Sequence, residues 1–549
     1  MIGEPSTTLT FGHMIKRHCL VLFALGLLVT APPLGAQRAP IVTPPPAFDA
    51  YVERVLKTFD VPGVAVAIVK DGKVILAKGY GVRTLGKPER VDSNTHFGIA
   101  SNTKAFTATA IAMLVEAGKL QWDAPVIRYL PDFAMYDPFV TRELSVRDLL
   151  VHRSGLGLGA GDLLWWPAST YTRAEVAQRL RYLKPATSFR SAYAYDNVLY
   201  LVAGQLIEKI SGQTWEEFVR TQILLPVGMA GSTVRHADAA NGGNVASTHA
   251  DVDGTVRVIA PMTSDNTNPA GGINSSAADM AKWMIVQMDS GRLAPAAPGA
   301  AEKHLFTPAS TRQLWSIVTP IPVGSRTIPG LEHLRPNLSG YALGFGVADY
   351  RGNLRLQHSG GLPGYVSLLT MIPSQKLGVV VLTNQESGDA FNAITLKAID
   401  YYLGAPDIDY TARFAALRDT ARAQLARQSK AVSAARDSMS GPSLPLAKFA
   451  GRYEDAWYGD VTLAVESGHL VMRFGHTPQL VGDLVHWQHD SFLVRWRDRE
   501  LRADAYATFS LNPDGTIDVL KMAPASPDVD FSFDFQDLLL TPVRARGSP

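Results

Sequence analysis

The stretch GIASNTKAFTATAIAMLVEA, residues 98–117, decides how this chain is read. From Ala105 to Ala117 it is apolar nearly all round, and Gly118 stops it. A helix without a polar face is buried. Ser101 opens this helix, and Lys104, three residues on, lies on the same face. A lysine on a buried helix is costly unless it is used. Desolvation lowers its pKa, so it can help to take a proton from a neighbouring hydroxyl. The helix N-terminus also favours negative charge developing at Ser101. Ser-x-x-Lys alone is a weak signal, because an N-cap serine before a surface lysine gives the same letters. The apolar helix behind it favours a nucleophile.

Outward from this segment, Val64–Val69 and Val74–Tyr80 are apolar runs separated by Asp71-Gly72, a strong hairpin signal. A second group of strands lies far downstream. Phe345–Asp349 and Leu354–Gln357 flank Arg351-Gly352-Asn353, and Tyr365–Met371 and Val379–Leu382 flank Pro373–Lys376. Strand groups at both ends of a largely helical region predict one antiparallel sheet assembled from the two termini, with the helical region inserted. Asp389–Leu403 reads as a closing helix and Thr411–Arg427 as an amphipathic one, with Phe414, Leu417, Ala421 and Leu425 on one stripe. The Ser/Gly/Pro cluster at 438–445 marks a linker, and short alternating strands from Gly451 onward predict a small barrel. Such a module is expected to fold separately. The predicted organisation is a signal over 1–36, an α+β domain over 37–405, a helical linker over 406–443 and an all-β domain over 444–549.

Two further motifs carry chemistry. Tyr195-Asp196-Asn197 precedes a helix, Val198–Ile210, closed near Gly212. Tyr195 and Asn197, two apart on an irregular turn, can point into one cleft. Beside Lys104 the phenol pKa would fall, letting Tyr195 act as base and then acid, while Asn197 binds a carbonyl or orients Lys104. A plain turn with an Asx cap fits the same residues. His358-Ser359-Gly360-Gly361 reads as a glycine-rich entry to the strand Tyr365–Met371, where a substrate backbone can approach closely. Gly361 can offer a backbone N–H to an oxyanion opposite that of Ser101. An incidental histidine in a glycine turn is the bland alternative.

Taken together, Ser101-x-x-Lys104, Tyr195-x-Asn197 and His358-Ser359-Gly360 resemble the three motifs of class C beta-lactamases and penicillin-binding proteins, with their D-amino-acid peptidase and esterase relatives. Leu149–Leu156, Pro269–Gly272 and Leu225–Met229 are smaller matches, and the resemblance spans roughly 48–405. The C-terminal module is similar to the lipocalin-like β-domain often appended to such hydrolases. The resemblance implies an acyl-enzyme on Ser101, with Lys104 and Tyr195 managing its proton. It implies substrate contacts from Asn197, His358, Ser359, Gly360 and Gly361. Class C lactamases usually carry lysine where this chain has His358. A largely neutral imidazole there favours an amide, peptide or ester hydrolase over a lactamase proper. A catalytically weak protein that binds a cell-wall ligand or partner is the other alternative.

Composition narrows the rest. The chain has 549 residues, 46% apolar and 19% charged, with net charge +2, so it carries no electrostatic footprint for nucleic acid. Lys16-Arg17-His18, the apolar run Cys19–Val29 and Leu34-Gly35-Ala36 before Gln37 read as a cleavable secretory signal; the alternative is an uncleaved anchor. A periplasmic or secreted protein without a stable membrane span is expected. Cys19 is the sole cysteine, so cleavage leaves no thiol chemistry and no disulfide. His236-x-Asp238 and His249-x-Asp251 are solvated loop residues in this reading, and neither metal nor cofactor is expected. The substrate is a small molecule, peptide or ester.

Overall fold

The structure is a computed structural model that describes residues 43–239, 243–295 and 297–543. The signal-like segment and Cys19 lie outside the described residues. Strands β1 (Gly63–Lys70) and β2 (Lys73–Gly81) form the expected hairpin. Its turn places Asp71 at φ 52 and Gly72 at φ 73, the left-handed pair that matches the twist of a two-residue hairpin. Six further strands complete the sheet: β3 (Thr319–Pro320), β4 (Ser339–Tyr341), β5 (Gly346–Tyr350), β6 (Asn353–Leu362), β7 (Tyr365–Ile372) and β8 (Leu377–Thr383). Their order is β2-β1-β8-β7-β6-β5-β4-β3. Val66 pairs with Val381 across the join, so the two distant parts of the chain do meet in one antiparallel sheet. Residues Gly63–Val69 are all buried. Alternate residues of a strand face opposite ways, so both faces of β1 are covered.

Six helices frame the sheet and the site: α1 (Phe48–Thr58), α2 (Thr103–Glu116), α3 (Val198–Ser211), α4 (Ala277–Met288), α5 (Gly388–Leu403) and α6 (Tyr410–Ala434). α4 packs on β1 and β8, and α5 packs on β7 and β8. α2 is the predicted buried helix. Its residues Thr103–Ala112 are all buried, and Phe106 stacks on Trp283 of α4 with ring centres 3.9 Å apart. α3 ends at Gly212 with φ 73, a left-handed cap.

The sequence reads His358–Gly361 as a glycine-rich entry just before β7, or else as a glycine turn. The structure instead puts them inside β6, where His358 pairs with Leu369 and Gly361 with Val366; the turn is Pro363-Gly364. The α6 stripe is also corrected. Only Tyr410, Thr411 and Phe414 are buried, and the helix runs on to Ala434 as an exposed arm. It is anchored at both ends. Arg418 donates to Thr58 O at 3.1 Å, and Arg436, just past the helix, donates to His486 O at 3.1 Å.

Beyond it, β9 (Gly451–Asp455), β10 (Gly459–Glu466), β11 (His469–Phe474), β12 (Val481–Gln488), β13 (Ser491–Trp496), β14 (Ala505–Leu511), β15 (Ile517–Pro524) and β16 (Thr541–Pro542) form a nearly closed antiparallel barrel. The Leu520–Leu540 bridge links its two edges. Trp457 and Trp496 fill it. The barrel is no loose appendage. His476 O accepts from Thr170 N at 2.9 Å, Trp457 O accepts from Arg179 at 2.9 Å, and Arg502 pairs with Glu386 at 2.6 and 2.7 Å.

Candidate active site

Ser101 sits in the tight turn Ala100–Asn102 that feeds α2. Ala100 has φ 48, a left-handed conformation that costs an L-residue about 1–2 kcal/mol. Neighbouring contacts hold it. Asn102 Nδ2 donates to Ser367 Oγ at 2.8 Å, and Ser367 Oγ donates to Ile99 O at 2.8 Å. β6 passes directly over this turn at Gly360. A Cβ there would lie 2.3 Å from Ile99 O, so only glycine lets the strand approach. Gly360 is thus a packing contact rather than the substrate contact expected from sequence.

Lys104 is fully buried, and its Nζ donates three hydrogen bonds: to Ser101 Oγ at 3.0 Å, Asn197 Oδ1 at 2.7 Å and Ala270 O at 3.0 Å. Three donors meet three acceptors. Burial pulls the Lys104 pKa down to about 7, while Asp162 and Asp196 oppose the fall. Asn197 turns its other end to a buried carboxylate, Nδ2 donating to Asp162 Oδ2 at 2.8 Å. Asp162 Oδ2 also accepts from Ser532 Oγ at 2.9 Å, and its Oδ1 from Trp165 Nε1 at 2.9 Å. Burial pushes the Asp162 carboxyl up to about 7, against these donors and the Lys104 cation. Three donors aimed at it suit the ionised, acceptor-only form.

Tyr195 is half-buried with its hydroxyl on Ser101 and its ring 4.9 Å from Lys104 Nζ. The expected fall in its phenol pKa does not occur. Burial pushes it well above the ordinary range, so Tyr195 is a neutral donor and Lys104 carries the depressed pKa. The reading of His358 is corrected as well. Its ring is buried, with Nε2 at 2.8 Å from Tyr341 OH and Nδ1 at 2.6 Å from Ser359 O. The carbonyl can only accept, so Nδ1 carries the proton and Nε2 accepts from the tyrosine. Burial, with Lys104 nearby, pulls its pKa to about 3. It is neutral at every physiological pH.

These residues line one cleft of about 440 Å³, which Ser101, Tyr195, Asn197, His358, Ser359 and Gly361 share. Ser359 is exposed within it, and a Cβ at Gly361 would meet nothing within 4 Å. The structure therefore brings together all the residues picked out in the sequence, with Gly360 beneath the wall. Four participants were missed. Asp162 had no motif to mark it. Phe531, Ser532 and Asp534 belong to the barrel domain: Phe531 meets the Tyr195 ring edge-on at 6.2 Å, and Asp534 accepts from Gly161 N at 2.6 Å. Tyr341 and His152 complete the aromatic wall, His152 packing 4.3 Å from the Tyr195 ring. Trp165 and Trp166 are buried and line the cleft. His236 and His249 are both buried rather than solvated, and His249 is engaged by Asn384 O at 2.8 Å and Leu85 N at 3.0 Å. Among the described residues no group of three metal-ligating side chains occurs, and no helix is long and apolar enough to cross a membrane.

Known proteins match this arrangement. A family model described as Beta-lactamase matches residues 48–402, and one for a domain of unknown function, DUF3471, matches 435–542. Unguisins hydrolase ungD of Aspergillus violaceofuscus is 30% identical over 444 residues, 76% of each chain. Protein flp of Staphylococcus aureus is 27% identical over 352 residues, 62% of this chain and 63% of its own. In fold, the octameric penicillin-binding protein homologue from Pyrococcus abyssi superposes with TM-score 0.56 at 21% identity, covering 90% of this chain and 98% of that one. SurE gives 0.50 at 19% identity with the same coverage. From residue 48 to 402, the chain belongs to the Beta-lactamase family, whose fold and serine-hydrolase arrangement it carries.

Proposed function

We propose that the protein hydrolyses an amide, peptide or ester through an acyl-enzyme on Ser101. The observation that carries this is the buried Lys104 amine held 3.0 Å from Ser101 Oγ, with its other two donors taken by Asn197 and Ala270. In this reading neutral Lys104 takes the Ser101 proton, directly or through the Tyr195 hydroxyl, as Oγ bonds to the carbonyl carbon. The carbonyl electron pair moves to oxygen, between the N–H groups of Ser101 and Gly361. Collapse breaks the bond to the leaving nitrogen or oxygen, which receives the proton. Water then repeats the sequence on the acyl-serine and regenerates both groups. Similarity to a protein named a hydrolase supports the reading.

The test is labelling with a fluorescent phosphonate, together with turnover of nitrocefin, D-amino-acid amides and p-nitrophenyl esters. Ser101→Ala is expected to abolish the label and lower turnover by several orders of magnitude, with an unchanged melting temperature. Wild-type turnover in this variant would refute the assignment. We further propose export, resting on the basic and apolar order of residues 16–36. N-terminal sequencing of protein recovered outside the cytoplasm should then begin at Gln37; an intact leader would refute cleavage.

A further inference from the structure

Arg355, Gln357, Ser359 and Gly361 recur at every second position of β6, so they share one face of the strand. All four line the cleft that holds Ser101. At the end far from Gly361 stands Arg355. Its Nε is shut off from solvent and has no hydrogen-bond partner among the described residues. The guanidinium lies 5.4 Å from the centre of the Tyr350 ring. The nearby Asp349 carboxylate is already taken, by the backbone N–H groups of Asn337 and Leu338 at 2.6 and 2.9 Å and by Asn337 Nδ2 at 2.7 Å. Three other part-buried arginines of this domain are paired with carboxylates: Arg351 with Asp400, Arg153 with Asp148, and Arg173 with Glu208 and Glu216.

An unpaired guanidinium in such a place is costly to the free protein. Its planar fork fits a carboxylate with two parallel hydrogen bonds. His358 is neutral, so Arg355 is the permanent cation of this cleft wall. We propose that Arg355 forms an anion subsite at the distal end of the cleft and selects substrates that carry a carboxylate remote from the bond cleaved. This rests on the Ser101 hydrolase reading and names the substrate class of that same cleft. Six residue steps of extended strand lead from Arg355 to Gly361, about 20 Å at Cα, so the carboxylate belongs to a long substrate.

The experiment compares kcat/KM for p-nitrophenyl monoesters of dodecanedioic and succinic acid with neutral p-nitrophenyl esters of equal chain length. A second arm places the carboxylate on the alcohol, with acetylated 12-hydroxydodecanoate against dodecyl acetate. The wild type is expected to favour the long carboxylate by about tenfold to a hundredfold in one arm, the range of a charge-assisted pair. Succinate should show no such preference. Arg355→Gln should erase the preference and leave neutral esters within a factor of about two, while Arg355→Lys keeps part of it. No long-chain preference in either arm, or a preference retained in Arg355→Gln, overturns the subsite. Binding of dodecanedioate to Ser101→Ala, read by calorimetry, tests the subsite without catalysis. Its loss on adding Arg355→Gln supports the proposal, and its persistence overturns it. Failure of every ester and of Ser101 labelling, with this binding intact, overturns the hydrolase reading instead.

Discussion

Asp162→Asn tests whether the buried carboxylate behind Asn197 sets the proton affinity of Lys104. Lys104 Nζ meets Asn197 Oδ1 at 2.7 Å, and Asn197 Nδ2 meets Asp162 Oδ2 at 2.8 Å. One amide group between them puts the charges about 6–7 Å apart, worth about 2.4–2.8 kcal/mol at an effective dielectric near 20, or about two pH units. The sign follows from charge. An anion near Lys104 favours its ammonium form, so removing the anion lowers the pKa of about 7 still further. With the neutral amine as the base of the proposed mechanism, kcat/KM of the wild type should rise through pH 7 to a plateau. The acid limb of the variant should lie about two units lower. The new amide also turns an N–H toward groups that donated to the carboxylate, among them Trp165 Nε1 and Asn197 Nδ2. A loss of about 1–3 kcal/mol in stability is therefore expected alongside. The assay is kcat/KM on a neutral p-nitrophenyl ester from pH 5 to 9, with melting curves at each pH. An acid limb at the wild-type position in a folded variant refutes the coupling. A limb displaced upward refutes Lys104 as the base.

Three other outcomes follow from the same geometry. Lys104→Ala and Tyr195→Phe should each be severe and the double variant little worse, because both groups handle one proton; multiplicative losses in kcat would separate their tasks. A chain ending near residue 443 should lose most turnover even on small esters, because Ser532 and Asp534 brace the Asp162 loop. Wild-type rates in that chain would show that the barrel contributes nothing to the site. His358→Lys should lower stability by about 3–5 kcal/mol, the scale of an uncompensated buried charge, and should not favour carboxylate substrates. A stable variant with raised nitrocefin turnover relative to neutral esters would refute the buried, neutral assignment.

What was legible in the sequence was local. The Asp71-Gly72 hairpin, the buried helix behind Ser101 and the cap at Gly212 each follow from a few adjacent residues, and the structure has all three. The antiparallel sheet was legible too, because its two strand groups each carry their own turns. Protonation states were not, since they depend on what distant segments lay over a group. Lys104 does stand beside Tyr195, 4.9 Å from its ring, as the rule that a neighbouring cation lowers a phenol pKa requires. Its effect lost to desolvation by burial, and Tyr200, Tyr193 and Asp162 push the phenol the same way. His358 stands in the family's lysine position, yet Tyr341 and Ser359 O occupy both its nitrogens, so its charge cannot read the substrate.

The domain boundary taught the same lesson. Composition changes sharply at the Ser/Gly/Pro cluster, and that change marks where one set of strands stops and another begins. It says nothing about where the second set sends its loops. Ser532 reaches Asp162 across 370 positions, a contact no window of sequence contains. That contact joins the barrel to the candidate site. Asp162 accepts one hydrogen bond from Asn197, which holds Lys104, and another from Ser532, which belongs to the barrel. Any movement of the barrel loop therefore changes the number of donors on Asp162, and with it the field at the Lys104 amine. A lost donor raises the carboxyl pKa, weakens the anion at neutral pH and lowers the pKa of the lysine it supports. Ser532→Ala, which removes one hydroxyl and no charge, should accordingly move the acid limb of kcat/KM in the same direction as Asp162→Asn but by less. An equal or opposite displacement would break the chain of contacts from barrel to nucleophile.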